Sequence, residues 1–445
     1  MRHFSVHPST LVHPFILAIW ACLFNLHSVS AQPLSYPPFA NVRIDNPVAE
    51  GYIPCEPSIA IDPTNPDRIV AGAILDKVYV SEDAGVTWTE DQLKSPHGVF
   101  GDPCIVAGPQ GDFYYLHLSD PKGDGWNDEG LLDRIVCQHL KPGGSRWSRG
   151  SGIGLNGSKD QDKEWAAISP SGERIAVCWT EFDAYGSETV GDSTRILCST
   201  SDRKAKRWSE PVRVSAALGN CLDSDSTTEG AVPVWIDEHT LAVSWAFDQK
   251  LWFDISTDGG LTWGEDDTAI TGIIGGWDLE GISGIGRANG MPVTAIDRSP
   301  RFPGRIYVNW ADQRNGEHDT DIWLVWSDDR GSSWSDPVRV NNDPPGKQQF
   351  FTWMAVDPIT GHVHIVFYDR RAYSDSTTDV VVATSTNGGS FFVNRIVSES
   401  GFLPNGKTFF GDYNNISAYG GRVRPIWTRN HRGDQGVWTV LLEDF

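Results

Sequence analysis

The sequence predicts an all-β fold, a β-propeller of seven four-stranded blades, with six blades as the alternative. A turn pattern recurs along the chain, and a tryptophan-centred strand pattern recurs at intervals of 58 to 66 residues. The 445 residues include 45 Gly and 19 Trp but only 3 Met, which favours tight turns and pleated faces over long helices. Four short antiparallel strands repeating at such a spacing are typical of propeller blades.

The N-terminal segment, residues 1–31, has the pattern of a secretory signal peptide. Arg2 is its only Lys or Arg, an apolar stretch runs from Phe15 to Phe24, and Val29-Ser30-Ala31 is a small-residue cleavage site. A lipoprotein anchor at Cys22 is the alternative. We expect a secreted or periplasmic protein, and the six cysteines beyond the signal are compatible with disulfides in an oxidising compartment.

The remaining residues, 32–445, are expected to form a single propeller domain. Its seven inner strands begin near Pro57, Pro103, Glu164, Gly230, Met291, Thr352 and Asp412. The last blade lacks a fourth strand, and Asn41-Val42-Arg43-Ile44 resembles the outer strands of other blades, such as Pro337–Val340. We therefore expect residues 41–46 to complete the last blade and close the ring, which removes exposed sheet edges.

The recurring turns follow the pattern SxDxGx(T/S)W. They lie at residues 81–88, 256–263 and 327–334, with a weaker copy at 385–392. In each turn the Asp or Asn side chain is expected to cap backbone amides, Gly to supply a positive φ, and the aromatic residue to pack onto the blade. Their predicted role is structural.

These turns resemble the Asp boxes, or BNR repeats, of the sialidase-like propellers, and the resemblance covers nearly all of residues 32–445. Glu56–Pro66, Tyr368–Arg371 and Gly411–Tyr413 are similar to a secreted bacterial group of that family. The resemblance implies a carbohydrate-active protein, at most exo-sialidase-like. The family's early arginine has no counterpart here, because Val42-Arg43-Ile44-Asp45 is explained as the ring-closing strand.

The charge of the chain limits its partners. Asp plus Glu total 58 against 36 Lys plus Arg, a formal net charge of −22, which repels nucleic acid and anionic membranes. Beyond the signal no apolar run approaches the ~20 residues of a membrane helix. We expect a monomer whose partner is a glycan or glycoconjugate.

Candidate site residues lie in the loops that enter the inner strands and those that join second to third strands. The predicted catalytic residues are Asp102, Glu229, Asp412 and Tyr413, and the predicted substrate-binding residues are Glu56, Glu164, Arg314, Arg371, Arg429 and Tyr368. Carboxylates would do acid–base or nucleophilic work, and guanidinium groups converging on the axis would bind an anionic sugar. In the alternative interpretation, these acids and arginines pair with one another and hold the ring together.

No catalytic cofactor and no metal site is predicted, and calcium is kept open as a structural ion. Asp120, Asp124 and Asp128, and separately Asp223 and Asp225, carry the right oxygens but match no complete calcium loop. His362 and His364 share a strand face without a third ligand, and the glycine run Gly281–Gly290 resembles a phosphate loop only superficially. The leading functional hypothesis is a glycoside hydrolase acting on an acidic glycan. A non-catalytic glycan- or protein-binding propeller is the alternative, and a polysaccharide lyase is third.

Overall fold

The repeated strands form seven four-stranded antiparallel sheets in the part of the chain that the computed structural model describes, residues 39–47 and 53–444. The sheets are arranged as the blades of a seven-bladed β-propeller, so the alternative of six blades is wrong. The predicted signal peptide lies outside the described residues. No helix within them is long and apolar enough to cross a membrane.

The strands of each blade are given from the axis outwards. Blade 1 contains β2 (Ser58–Ile61), β3 (Ile69–Ala73), β4 (Lys77–Ser81) and β5 (Thr89–Gln92); blade 2 contains β6 (Cys104–Ala107), β7 (Phe113–Leu118), β8 (Ile135–Leu140) and β9 (Ser151–Ile153); blade 3 contains β10 (Asp160–Ile168), β11 (Arg174–Phe182), β12 (Thr194–Asp202) and β13 (Val212–Arg213). Blade 4 contains β14 (Glu229–Trp235), β15 (Leu241–Phe247), β16 (Lys250–Ser256) and β17 (Thr268–Gly272); blade 5 contains β18 (Val293–Ile296), β19 (Ile306–Asp312), β20 (Asp321–Ser327) and β21 (Val338–Arg339); blade 6 contains β22 (Gln349–Val356), β23 (Val363–Asp369), β24 (Asp379–Ser385) and β25 (Val393–Ile396). Blade 7 contains β26 (Asn415–Tyr419), β27 (Arg422–His431), β28 (Asp434–Val440) and β1 (Asn41–Arg43), and a short 3₁₀ helix spans Gly125–Asn127.

The ring closes as predicted, because β1 supplies the outer strand of blade 7. Asn41 lies opposite Val440, and Arg43 lies opposite Trp438. Just beyond β1, the carboxylate of Asp45 accepts a hydrogen bond from the backbone N–H of Val437 at 2.8 Å. The chain's first described strand therefore covers the edge of its last one.

The core explains the tryptophan-centred repeat. Its aromatic residues lie on the second strands and are at most 1% exposed: Trp179, Trp245, Trp310, Tyr368 and Trp427. Large aromatic side chains at equivalent positions pack in the core of blades 3 to 7, which is why the pattern recurs along this part of the chain. All six cysteines among the described residues are buried free thiols.

The recurring turns join third to outer strands and have the predicted local geometry. In the first, Asp83 accepts hydrogen bonds from the backbone N–H of Thr87 at 2.8 Å and from its hydroxyl at 2.7 Å. Gly85 has a φ of +94°, and its N–H donates to the hydroxyl of Ser81 at 2.8 Å. Asp258 and Asp329 make the same contacts in their turns. These turns lie on the face opposite the one where the inner strands begin.

A backbone feature at the start of the inner strands positions the candidate site. Glu56, Asp102 and Lys163 occupy equivalent positions in blades 1 to 3. Glu56 and Asp102 lie two residues before the first paired residue of their strands, and Lys163 lies inside β10, two residues before Trp165, where pairing resumes after a bulge. Their φ angles are +52°, +47° and +54°, a left-handed conformation that is unusual for residues other than glycine. Strained backbone of this kind often accompanies function.

Candidate functional site

A cavity of about 530 Å³ lies at the axis, on the face where the inner strands begin. We call it the axial cavity. Its charged lining residues are Glu56, Asp102, Asp162, Lys163 and Arg287, and its aromatic ones are Phe100, Trp126, Tyr185 and Phe409. They come from loops that enter inner strands, from the first residues of β10 and from loops that join second to third strands. A second cavity, of about 570 Å³, lies at the other end of the axis, but no carboxylate of the described residues lines it.

Two cations of the axial cavity share one buried carboxylate, Asp412. The Nζ of Lys163 lies 2.8 Å from Asp412 and 3.6 Å from Asp102. The Nε of Arg287 donates to Asp412 at 2.7 Å, and a second guanidinium nitrogen also contacts that carboxylate. Burial opposes ionisation of Asp412, but Lys163 and Arg287 outweigh it and lower its pKa. Asp412 is therefore an anion held between two cations.

Arg287 comes from the long connection between blades 4 and 5 and crosses to blade 7. Its second ion pair is with Asp223, at 2.7 Å. Asp223 also accepts hydrogen bonds from the hydroxyl of Tyr185 at 3.0 Å and the indole of Trp277 at 2.9 Å. Sequence reasoning missed Arg287, because the glycine run that carries it belongs to no repeat. An arginine inside an unusually long connection between repeats was the available signal.

Asp162 and Glu56 are carboxyl groups with raised pKa values. Asp162 is 6% exposed, and burial, reinforced by the charges of Asp102 and Asp223, raises its pKa to about 7 despite Lys163 and Arg287. Burial, reinforced by Asp102 and Asp412, raises the pKa of Glu56 well above its usual range. The axial cavity therefore combines carboxyl groups that retain a proton near neutral pH with an ionised carboxylate, Asp412, at its edge. Such separation of pKa values assigns acid and base roles in many enzymes.

Three predicted site residues lie near the axial cavity without lining it. Glu164 and Glu229 are at most 1% exposed, and their carboxyl oxygens have no hydrogen-bond partner among the described residues. Burial raises both pKa values well above the usual range. Tyr413 packs edge-on against the Trp165 ring at 5.1 Å, and burial together with nearby Asp102 raises the pKa of its phenol. Of the four predicted catalytic residues only Asp102 lines the cavity, while Asp412 contacts its two cations.

The three predicted arginines do not line the axial cavity, and each of them pairs with a carboxylate. Arg314 pairs with Asp312 at 2.6 Å and Arg371 with Asp369 at 2.6 Å, each within its own strand end. Arg429, 1% exposed, pairs with Glu399 of the preceding connection at 3.3 Å. Tyr368 does not line the axial cavity either. Its buried hydroxyl donates a hydrogen bond to the backbone carbonyl of Thr428 in blade 7 at 2.8 Å. Their placement favours the alternative in which these groups hold strands and blades together.

Two of the acidic residues that carry oxygens suited to calcium, Asp120 and Asp128, bond to backbone amides. Asp120 accepts hydrogen bonds from the N–H groups of Gly123 and Gly125, and Asp128 from those of Lys122 and Gly130. Nowhere in residues 39–47 and 53–444 do three or more His, Cys, Asp or Glu side chains form a group that could hold a metal ion. His364 is buried, and burial lowers its pKa to about 3.

Comparison with known proteins adds evidence on the fold. No protein-family model and no curated protein matches the chain. Among solved structures it is similar to an ulvan lyase described as a new family of polysaccharide lyase, with 12% identity, a TM-score of 0.51, and coverage of 92% of this chain and 96% of that one. It is also similar to an α-L-arabinofuranosidase from Fusarium graminearum, with 11% identity, a TM-score of 0.52, and coverage of 92% and 98%. At these identities the similarities show the propeller fold alone.

Proposed function

We propose that the protein is a glycoside hydrolase that acts in the axial cavity. The observation that carries the proposal is Asp162, a cavity-lining carboxyl group whose pKa of about 7 keeps a proton available near neutral pH. Glycoside hydrolysis uses one carboxylic acid to protonate the departing oxygen and a second carboxylate as base or nucleophile. The axial cavity offers both kinds of group.

The roles follow from the surroundings of each residue. Asp162 donates its proton to the glycosidic oxygen as the bond breaks. Asp102, beside the Lys163 ammonium at 3.6 Å, serves as the second carboxylate. Lys163 is itself fixed by its ion pair with Asp412. In this proposal Lys163 and Asp412 orient Asp102 and take no part in bond breaking. The N-terminal signal pattern supports action outside the cytoplasm.

The solved structures that share the fold support a sugar substrate, since both are named as enzymes acting on saccharides. Between hydrolase and lyase, the lining residues favour the hydrolase. A lyase acting on a uronate needs a proton-abstracting base such as His or Tyr. Among the described residues no histidine lines the axial cavity, and the Tyr185 hydroxyl already donates to Asp223 while burial raises the pKa of its phenol.

The test is a screen of the purified protein against methylumbelliferyl glycosides, with two variants beside the wild type. On an alkyl glycoside of any sugar that the screen finds, Asp162→Asn is expected to remove most turnover, because an alcohol leaves only when it is protonated. Asp254→Asn is the matched control, because Asp254 on β16 also has a pKa raised by burial, to about 6, yet lies outside the cavity. Wild-type binding of a glycoside without turnover would refute the hydrolase and favour a binding protein.

A further inference from the structure

Resting on the proposed sugar site, we infer that the axial cavity takes an uncharged sugar whose ring stacks on Trp126, and not an acidic sugar. Two independent features carry this inference. One is the exposed indole of Trp126, which lines the cavity, and the other is that both cations of the cavity are already paired with carboxylates.

Trp126 is unusually exposed for its size. Its side chain lies on the 3₁₀ helix Gly125–Asn127 and is 70% exposed. Phe100 meets it edge-on at 5.9 Å, and the Tyr185 ring lies 5.8 Å away with an interplanar angle of 35°. A large aromatic surface left in water forgoes the free energy of burial, so such surfaces commonly mark binding sites. The C–H face of a sugar ring is a suitable partner for it.

The loop that carries Trp126 is fixed by two carboxylates. Asp120 accepts hydrogen bonds from the N–H groups of Gly123 and Gly125, each at 3.0 Å. Asp128 accepts from the N–H groups of Lys122 and Gly130, each at 2.8 Å. Both aspartates are 6% exposed, so the loop around the exposed indole is internally bonded. The exposure of Trp126 is therefore a feature of an ordered loop.

A second aromatic surface lines the same cavity. Phe409, in the connection before blade 7, is 47% exposed, and the Arg287 guanidinium lies 5.6 Å from its ring centroid. Aromatic rings from four separate connections thus surround one opening. This composition is typical of saccharide and other small-molecule sites, in which apolar surface is combined with a few polar groups.

The charges of the cavity disfavour an anion. Its two cations, Lys163 and Arg287, already contact Asp412, and Arg287 also binds Asp223. A sugar carboxylate would compete with Asp412 and Asp223 for these cations, and it would lie beside the Asp102 carboxylate. Like charges at close range disfavour that complex. Neutral hydroxyl groups, in contrast, can donate hydrogen bonds to the same carboxyl oxygens.

The experiment compares sugars that differ only at C6. Titration calorimetry measures the binding of two pairs of methylumbelliferyl glycosides, glucoside with glucuronide and galactoside with galacturonide, in both anomers. The proteins are the wild type and the variants Trp126→Ala, Trp126→Phe and Phe391→Ala. Phe391 is a 63% exposed aromatic on the opposite face and serves as the matched control. We expect tighter wild-type binding of the neutral member of at least one pair. Trp126→Ala should weaken that binding about tenfold, Trp126→Phe should weaken it less, and Phe391→Ala should leave it unchanged.

The outcomes separate this inference from the proposed function. Tighter binding of the uronides, no binding of any sugar, or equal affinity in wild type and Trp126→Ala would overturn the inference. Turnover of acidic glycosides alone would leave the hydrolase standing and refute the uncharged substrate. Binding of neutral sugars through Trp126 without turnover would support the uncharged ligand and refute the hydrolase.

Discussion

At the scale of single residues, Asp162 shows how position decides chemistry. It precedes Lys163, whose left-handed backbone begins the bulge in β10, and it lies within reach of the fields of Asp102 and Asp223. The sequence could predict that charged residues gather here, because the repeats define where inner strands begin. It could not predict Arg287 or Trp126, because their loops belong to no repeat and their paths depend on tertiary contacts.

The raised pKa of Asp162 makes a prediction about stability and pH. Since the folded protein holds this proton more tightly than the unfolded chain, whose Asp pKa is about 3.9, the group's contribution is full below about pH 4 and is lost as pH rises through about 7. Asp162→Asn removes this dependence. The free energy of unfolding, measured with urea from pH 4.5 to 8, should therefore fall less steeply with pH in the variant. The upper limit of the difference is about 4 kcal/mol. Parallel curves would contradict the assignment.

The placement of Arg371 makes a second prediction at this scale. Arg371→Ala leaves Asp369, 1% exposed, without its cation and is expected to cost about 3 kcal/mol of folding stability. Binding of a sugar ligand should be unchanged. The control is Arg330→Ala, whose exposed pair with Asp237 should contribute less than about 1 kcal/mol. An Arg371→Ala variant that melts like the wild type but loses ligand affinity would restore the arginine to the site.

At the scale of structural elements, the strands were more predictable than the loops. The strand pattern with a central aromatic residue in blades 3 to 7 and the Ser-Asp-Gly turns are both recognisable from local sequence, and in the turns each Asp bonds to its own turn. Arg314 and Arg371 were misplaced for a related reason. Side chains at equivalent positions in a propeller point in equivalent directions, but that direction need not be towards the axis. Each of these arginines bonds to an aspartate two residues earlier in the chain.

Strand β1 makes the prediction of this scale. A chain that begins at residue 48 lacks β1 and leaves the edge of β28 unpaired, so we expect lower stability, less cooperative unfolding and aggregation. A chain that begins at residue 32 retains β1 and is the control. Unfolding is followed by circular dichroism and particle size by light scattering. If the two chains melt alike and remain equally soluble, β1 does not close the ring.

At the scale of the whole molecule, seven similar blades produce one dissimilar centre. Blades 1 to 3 present Glu56, Asp102 and Lys163 at one structural position, while blade 7 and the connection from blade 4 to 5 supply Asp412 and Arg287. The scaffold follows from the repeat and was predictable. The site lies where the repeat is broken, so only the arrangement of the blades in space reveals it.

The central claim, that Asp162 donates a proton during glycoside cleavage, is tested most directly by varying the leaving group. A dinitrophenolate departs without protonation, whereas an alkyl alcohol requires an acid. For a substrate sugar found in the screen, we predict that Asp162→Asn retains most of the wild-type kcat/KM on the dinitrophenyl glycoside and loses roughly 10²–10⁴-fold on the alkyl glycoside. Wild-type activity on the alkyl glycoside should fall above about pH 7, as Asp162 ionises. Equal losses on both substrates, or no loss on either, would contradict the account.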